Sequence, residues 1–342
     1  MMPVPVAING FGRTGRATFR AAYEQESDIE WVAINDVMGV SSVAQLLAHD
    51  SVYGPFPGIV EARDGAIAVD GREIPVFAEP DPGALPWHEV GAEVVIESSG
   101  RFRARADAAR HLEAGARKVI ISAPAKEPDV TVALGVNFEQ VYDPEQHHII
   151  SNASCTTNCL APVAKVLHDA FGIRHGVMTT VHAYTGDQQL LDGPHKDPRR
   201  ARAAGLNLVP TTTGAAKAIG LIIPDLAGRM QGFAVRVPTP TVSLVDLTIE
   251  VESVTSVAAV NAAIRERADE GPLAGILAYR DAALVSTDLV GSSYSSIFDA
   301  GLTMVVDGTQ ITVVAWYDNE WGYSSRLVEL AQRVLVPVTA GR

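Results

Sequence analysis

Val4-Pro5-Val6-Ala7-Ile8-Asn9-Gly10-Phe11-Gly12-Arg13-Thr14-Gly15 decides the fold. The apolar run from Val4 to Asn9 predicts a strand, and the pattern Gly10-x-Gly12-x-x-Gly15 follows without a break. Between a strand and a helix each glycine has a physical task. The first allows a tight turn, the second lets a pyrophosphate approach the backbone, and the third lets helix and strand pack closely. Trp31-Val32-Ala33-Ile34 supplies a second strand with Asn35-Asp36 at its end. Asp36 lies 21 residues after Gly15 (36 − 15), where an acid holds a ribose diol. A carboxylate there repels a 2′-phosphate, so NAD is expected ahead of NADP. The competing reading is a glycine turn with a surface acid.

Further strand–helix units follow. Val94-Val95-Ile96 is a strand ending in Glu97-Ser98-Ser99-Gly100, Arg105 to Ala114 is helical, and Lys118 to Ile121 is a strand ending at Ser122. Ligands of open parallel sheets sit beyond the carboxyl ends of the strands, which makes Ser98, Ser99 and Ser122 candidates for a cofactor crevice. Isolated serines are more often simple turn residues.

A second stretch carries the chemistry: Ser151-Asn152-Ala153-Ser154-Cys155-Thr156-Thr157-Asn158, after the apolar pair Ile149-Ile150. Leu160, Val163, Ala164, Leu167 and Phe171 then form a helical stripe, so Cys155 stands between a strand end and a helix start. Ser154 is the expected N-cap, and the first free N–H groups should lower the thiol pKa and favour thiolate. The bland alternative, a small buried core residue, suits Cys159 better than Cys155 with its polar neighbours. Pro162, about two turns in, predicts a kink or a late start.

Composition sets the limits. The 342 residues suffice for two domains, and 47% hydrophobic with 20% charged residues reads as globular. Both cysteines lie in one stretch, which favours a reducing, cytoplasmic setting. No apolar run has membrane-spanning length, and Met-Met-Pro-Val does not read as an export signal. A net charge of −13 argues against nucleic acid as the main partner. No metal site is expected.

Beyond Cys155 the texture becomes that of a mixed sheet. His182, at the end of the apolar segment Val177 to Ala183, is the best base candidate for the cysteine. Asp187 to Pro210 has little regular pattern, but residues 196–202 hold four basic side chains in seven. Next to Thr211-Thr212-Thr213-Gly214 this makes an anion pocket credible against the plainer solvated loop. Arg236 interrupts an otherwise apolar strand, Phe233 to Val237. Trp321 to Val336 reads as a closing helix.

With these residues in hand the chain resembles the phosphorylating glyceraldehyde-3-phosphate dehydrogenases over nearly its whole length. The motifs are Asn9-Gly10-Phe11-Gly12-Arg13, Ser151 to Cys159, His182 to Gln188, Pro210 to Lys217, Arg236-Val237-Pro238 and Trp316 to Glu320. The resemblance implies an α/β fold: a doubly wound, mostly parallel Rossmann domain and an α+β catalytic domain with a mixed, antiparallel-rich sheet. The domains would span 1–154 and 155–319, with a C-terminal helix in 320–342 packing back on the first. It implies that Cys155 attacks the aldehyde carbon, that His182 handles the proton, and that a thioester is released by inorganic phosphate. Ser154, Thr156, Thr185, Arg200, Thr213, Gly214 and Arg236 would hold the substrate C3 phosphate or the attacking phosphate. Gly10, Phe11, Gly12, Arg13, Thr14, Gly15, Asn35, Asp36, Ser98, Ser122 and Asn319 would line the NAD site, Asn319 gripping the nicotinamide carboxamide. A homotetramer is implied. Pro80 stands where many members carry arginine near the adenine, and Gly193-Pro194 replaces a Leu-Pro pair. The competing functions are an erythrose-4-phosphate dehydrogenase, a non-catalytic redox-sensing paralogue and a papain-like hydrolase. Tyr184-Thr185-Gly186 and the threonine-rich stretch favour the triose enzyme over the first.

Overall fold

In the computed structural model the described residues are 2–336. They form two compact units: the described residues of Met1–Val132, Glu139–Ala153 and Ser324–Arg342, and a second of Ala133–Phe138 with Ser154–Tyr323. Within the closing stretch the helix is Trp321–Arg333, and residues 337–342 lie outside the described residues.

The first unit is built on a nine-stranded sheet. Its parallel part runs, in spatial order, Val130–Thr131, Ile149–Ser151, Lys118–Ile121, Val94–Glu97, Val4–Asn9, Ile29–Asn35 and Arg72–Phe77. Val6, Ala7, Ile8, Val94, Val95 and Ile96 are fully buried, which explains their unbroken apolar reading. Two further strands, Ala66–Val69 and Val60–Arg63, add antiparallel to the edge. Strand order reverses at Val4–Asn9, which lies between Ile29–Asn35 and Val94–Glu97. The register pairs Asn9 with both Asn35 and Glu97, so three polar side chains stand abreast where the order turns. The helix expected over Arg105 to Ala114 forms as two short pieces, Arg105–Ala108 and Arg110–Glu113.

The second unit holds a seven-stranded mixed sheet. Its order is Val209–Thr212, Met230–Val237, Ile173–Ala183, Ser243–Val251, Gln310–Tyr317, Ser296–Val306, Leu277–Arg280. Helices Cys155–Phe171, Ala215–Ile222 and Val257–Asp269 pack against its strands. Strand alternation sends Met178, Thr180 and His182 into the covered side. Register sets His182 beside Arg236 on the neighbouring parallel strand and Ser243 opposite Tyr317.

The expected late start after Pro162 does not occur. The helix begins at Cys155 and runs unbroken to Phe171 with Pro162 inside it. Proline removes the N–H that would serve the carbonyl of Asn158, at a cost of about 3 kcal/mol. Leu160, Ala161, Val163, Ala164 and Leu167 are almost completely buried along the same helix, and their packing outweighs that cost.

Candidate active site

In the first unit the strand Val4–Asn9 delivers the chain into Gly10 with φ +91, a conformation that strains any L side chain. A Cβ at Gly10 would fall 2.4 Å from Ser99 Cα, whereas one at Gly12 would meet nothing within 4 Å. The turn is therefore closed underneath and open above Gly12. The helix Arg13–Glu24 follows with no side-chain cap and no acid in its first turn, so its N-terminus is suited to an anion. Asp36 accepts from the N–H of Phe11 at 2.7 Å and of Met38 at 2.9 Å, which fixes its carboxylate at the rim of a pocket shared with Gly10, Gly12, Ser98 and Pro80. These residues fit a dinucleotide: a glycine floor, a helix N-terminus and a fixed carboxylate.

The other residues expected at this cofactor site also make contacts within the protein. Ser98 Oγ donates to the Gly10 carbonyl at 2.6 Å and shapes the turn. Asn35 is buried; its amide donates to Asn9 Oδ1 at 2.7 Å and to the Glu79 carbonyl at 2.8 Å. Arg13 pairs with Asp50, its guanidinium 5.6 Å from the Tyr53 ring centre. Thr14 lends its carbonyl to the Thr18 hydroxyl, and Ser122 donates its N–H to the Glu97 carbonyl at 3.0 Å.

Beneath the turn lies a network that sequence reading missed. Trp87 Nε1 donates to His111 Nδ1 at 2.9 Å, which places the imidazole proton on Nε2, 3.0 Å from Glu97 Oε2. Asn9 Nδ2 donates to that same oxygen. Ser99 donates both its N–H, at 2.8 Å, and its hydroxyl to Glu97 Oε1. Asn9, Glu97 and His111 are all buried.

In the second unit Ser154 caps the Cys155 helix, its Oγ accepting from Thr157 N at 3.0 Å. Cys155 Sγ lies 3.6 Å from His182 Nε2. His182 Nδ1 is 2.7 Å from the Ala183 carbonyl and 2.9 Å from Arg236 Nη1. The shorter contact assigns the ring proton to Nδ1, leaving the Nε2 lone pair toward the sulfur. Behind the pair, Thr156 Oγ1 is 2.8 Å and Thr180 Oγ1 2.9 Å from the Tyr317 hydroxyl, whose ring meets His182 edge-on.

Electrostatics departs from the expectation of a ready thiolate. Burial pushes the Cys155 thiol up, and the charge of Arg236 only partly offsets this. Burial, reinforced by Arg236, drives His182 down to about 3. Both shifts favour the neutral thiol and the neutral imidazole. Helix N-terminal N–H groups contribute in the expected direction, but desolvation of the sulfur is larger.

A candidate anion subsite adjoins. Arg236 Nη1 donates to Thr185 Oγ1 at 3.1 Å and to the Ala183 carbonyl at 3.0 Å, while its buried Nε has no partner among the described residues. Arg200 bridges Asp187 at 2.5 Å and Thr211 Oγ1 at 3.0 Å. Burial works against the Asp187 charge, but the Thr185 hydroxyl, Arg236 and Arg200 outweigh it and hold the carboxyl below its ordinary range. Asp187 thus balances two guanidinium groups. Thr213 and Gly214 precede the helix Ala215–Ile222, which packs beside the Cys155 helix. The Ser154 and Thr156 hydroxyls are engaged with Thr157 and Tyr317. Asn319 is buried, its Oδ1 accepting from Ser243 Oγ at 2.9 Å.

A dinucleotide-binding unit joined in one chain to a unit that pairs a cysteine with a histidine beside two arginines fits the class of nucleotide-dependent dehydrogenases. Two family models match: the NAD-binding domain of glyceraldehyde 3-phosphate dehydrogenase over residues 4–105 and the C-terminal domain of the same family over 154–319. Glyceraldehyde-3-phosphate dehydrogenase 2 of Streptomyces arenae is 60% identical over 330 residues, covering 96% of this chain and 98% of that protein. The Geobacillus stearothermophilus enzyme of that name is 58% identical with the same coverage, and glyceraldehyde-3-phosphate dehydrogenase 1 of Bacillus subtilis is 56% identical, again covering 96% and 98%. The chain belongs to the glyceraldehyde-3-phosphate dehydrogenase family.

Proposed function

We propose that this chain oxidises glyceraldehyde 3-phosphate and phosphorylates the product to 1,3-bisphosphoglycerate, reversibly and with NAD. The observation that carries the reading is the 3.6 Å contact of Cys155 Sγ with a His182 Nε2 that is free to accept a proton. Arg236 and Thr185, with Arg200 beside them, are the groups that would hold a sugar phosphate next to that pair.

In the proposed sequence His182 Nε2 takes the thiol proton as Cys155 Sγ bonds to the aldehyde carbon. The Cys155 N–H and the protonated Nε2 hold the developing oxyanion, which becomes the hydroxyl of a thiohemiacetal. Bound NAD supplies the hydride acceptor. As hydride leaves, His182 receives the hydroxyl proton and a thioester remains on Cys155. Inorganic phosphate then attacks the acyl carbon, and the Cys155 sulfur departs with its electron pair. Ser154, Thr156, Thr213 and Gly214 belong to the side that receives this second phosphate, through backbone N–H groups where their hydroxyls are already engaged. Cys155→Ser should abolish phosphate-dependent NADH formation while NAD still binds. Residual turnover above about 1% of wild type would refute the thiol's role.

The proposal extends to a homotetramer in a reducing cytoplasm. Its support is apolar surface left open: Val177, Phe233, Met304 and Val306 on the strands, and Leu190, Leu191, Leu206 and Leu208 along the loop after His182. Cys155 and Cys159 are free thiols. No helix among the described residues is long and apolar enough to cross a membrane. Sedimentation equilibrium at micromolar concentration should give four chain masses; a monomer would refute the assembly.

A further inference from the structure

We propose that Ser243 is a positioning residue that decides which end of the Asn319 amide is offered to the nicotinamide carboxamide; this rests on the reading of Asn319 as the carboxamide grip. Ser243 is 1% exposed and stands at the first position of its strand, opposite Tyr317. Its oxygen accepts from the Ala183 N–H at 3.0 Å, and its hydrogen goes to Asn319 Oδ1 at 2.9 Å. A backbone N–H can only donate, so the Ser243 hydroxyl uses a lone pair on Ala183 and has its proton left for Asn319. A flipped amide could donate to the second lone pair of the hydroxyl, but it would leave the buried Ser243 proton without this acceptor, so the observed direction is the favoured one.

An amide has one acceptor end and one donor end. With Oδ1 claimed by Ser243, Nδ2 is the end left to face a ligand, and no described residue accepts from it. The backbone beneath is already fixed. Asp318 is fully buried, its Oδ1 accepting from the Thr241 hydroxyl and from the N–H groups of Glu320 and Trp321, its Oδ2 from Gly291 N. The freedom that remains to Asn319 is the amide flip, and Ser243 biases it toward Oδ1 against the hydroxyl. A carboxamide approaching a fixed N–H donor must present its oxygen. That choice fixes which atom of the carboxamide meets Asn319. Ala183 directly follows His182, so one hydroxyl ties the cofactor grip to the strand end that carries the base.

The test is calorimetric binding without substrate, comparing NAD with thionicotinamide adenine dinucleotide, whose C=S is a poor acceptor. Ser243→Ala should weaken NAD binding about 5- to 10-fold and the thio analogue less than about 2-fold, collapsing the discrimination between them. Ser243→Thr, which keeps the hydroxyl, should restore it. Loss of stability alone would weaken both ligands alike, and that result, or no change in either, overturns the inference. Asn319→Ala separates the layers. If it abolishes the discrimination while Ser243→Ala does not, the Ser243 role alone falls. If Asn319→Ala leaves NAD affinity and discrimination intact, the grip itself is wrong and the inference falls with it.

Discussion

Replacing Glu97 with glutamine tests whether the buried network under the glycine turn is as directional as its geometry requires. The carboxylate receives Asn9 Nδ2 and His111 Nε2–H on one oxygen and the Ser99 N–H and hydroxyl on the other. Glutamine has nearly the same shape but turns one end into a donor. Placed toward Asn9 and His111, that end opposes two donors. Moving the histidine proton to Nδ1 would collide with Trp87 Nε1–H, and flipping Asn9 would break the bond from Asn35 to Asn9 Oδ1. Placed toward Ser99, the hydroxyl can rotate to accept, but the Ser99 N–H is stranded. The least costly arrangement therefore orphans one half-buried N–H, about 1 kcal/mol, and turns two charge-assisted bonds into neutral ones, about 1 kcal/mol each. Relief from burying a charge offsets part of this, leaving a destabilisation of about 2 kcal/mol. Urea unfolding followed by tryptophan fluorescence measures it, since Trp87 belongs to the network. Exposed Glu30→Gln, which breaks only the surface pair with Arg72, is the control and should change stability by less than about 0.5 kcal/mol. NAD affinity should fall too, because Ser99 is the backbone against which Gly10 closes. A Glu97→Gln protein within about 0.5 kcal/mol of wild type would refute the directional argument.

His182 carries a pH signature. Its folded pKa of about 3 lies below the usual 6.5, so below pH 6.5 the unfolded chain takes up a proton that the folded chain refuses. Stability should fall as pH drops from 6.5, by on the order of 3 kcal/mol at pH 4, and His182→Asn should remove that part of the slope. Identical pH–stability curves for the two proteins would count against a buried neutral imidazole. Arg236 opposes the upward push on Cys155, so Arg236→Gln should slow alkylation of that thiol by iodoacetamide at pH 8 roughly 10-fold. It should also lower kcat/KM for glyceraldehyde 3-phosphate about 100-fold or more, with a far smaller loss for unphosphorylated glyceraldehyde. Equal losses for the two aldehydes would remove the phosphate role.

What the sequence made legible follows from what each interaction needs. Parallel strands buried on both faces read as continuous apolar runs, so Val4–Asn9 and Val94–Glu97 were visible, and the turn glycines announced themselves through backbone geometry. The short antiparallel edge, Val60–Arg63 and Ala66–Val69, was not, because each has only four residues and neither alternates: the second is buried throughout and the first is mostly exposed. Asn9 read as the last residue before a turn. Its partners Glu97 and His111 are 88 and 102 residues away, and only the register of neighbouring strands brings them together.

The same distinction governs the reactive pair. A helix start at Cys155 could be read locally from Ser154 and the stripe behind it, and the partial charge of that helix end was a sound expectation. How far the sulfur is desolvated depends on Thr180 and His182 from one strand and Tyr317 from another strand of the same sheet, and no local pattern encodes it. That non-local quantity sets the resting state. Arg236 acts in opposite senses on the two partners: it favours the thiolate and disfavours the imidazolium. An anion lodged on Arg236 would cancel part of its charge, making His182 a stronger base at the moment a phosphorylated aldehyde is present. The same anion would withdraw part of the support that Arg236 gives the thiolate, so loading the phosphate subsite strengthens the base and weakens the nucleophile together, and the transfer of the thiol proton to His182 depends on the balance of the two.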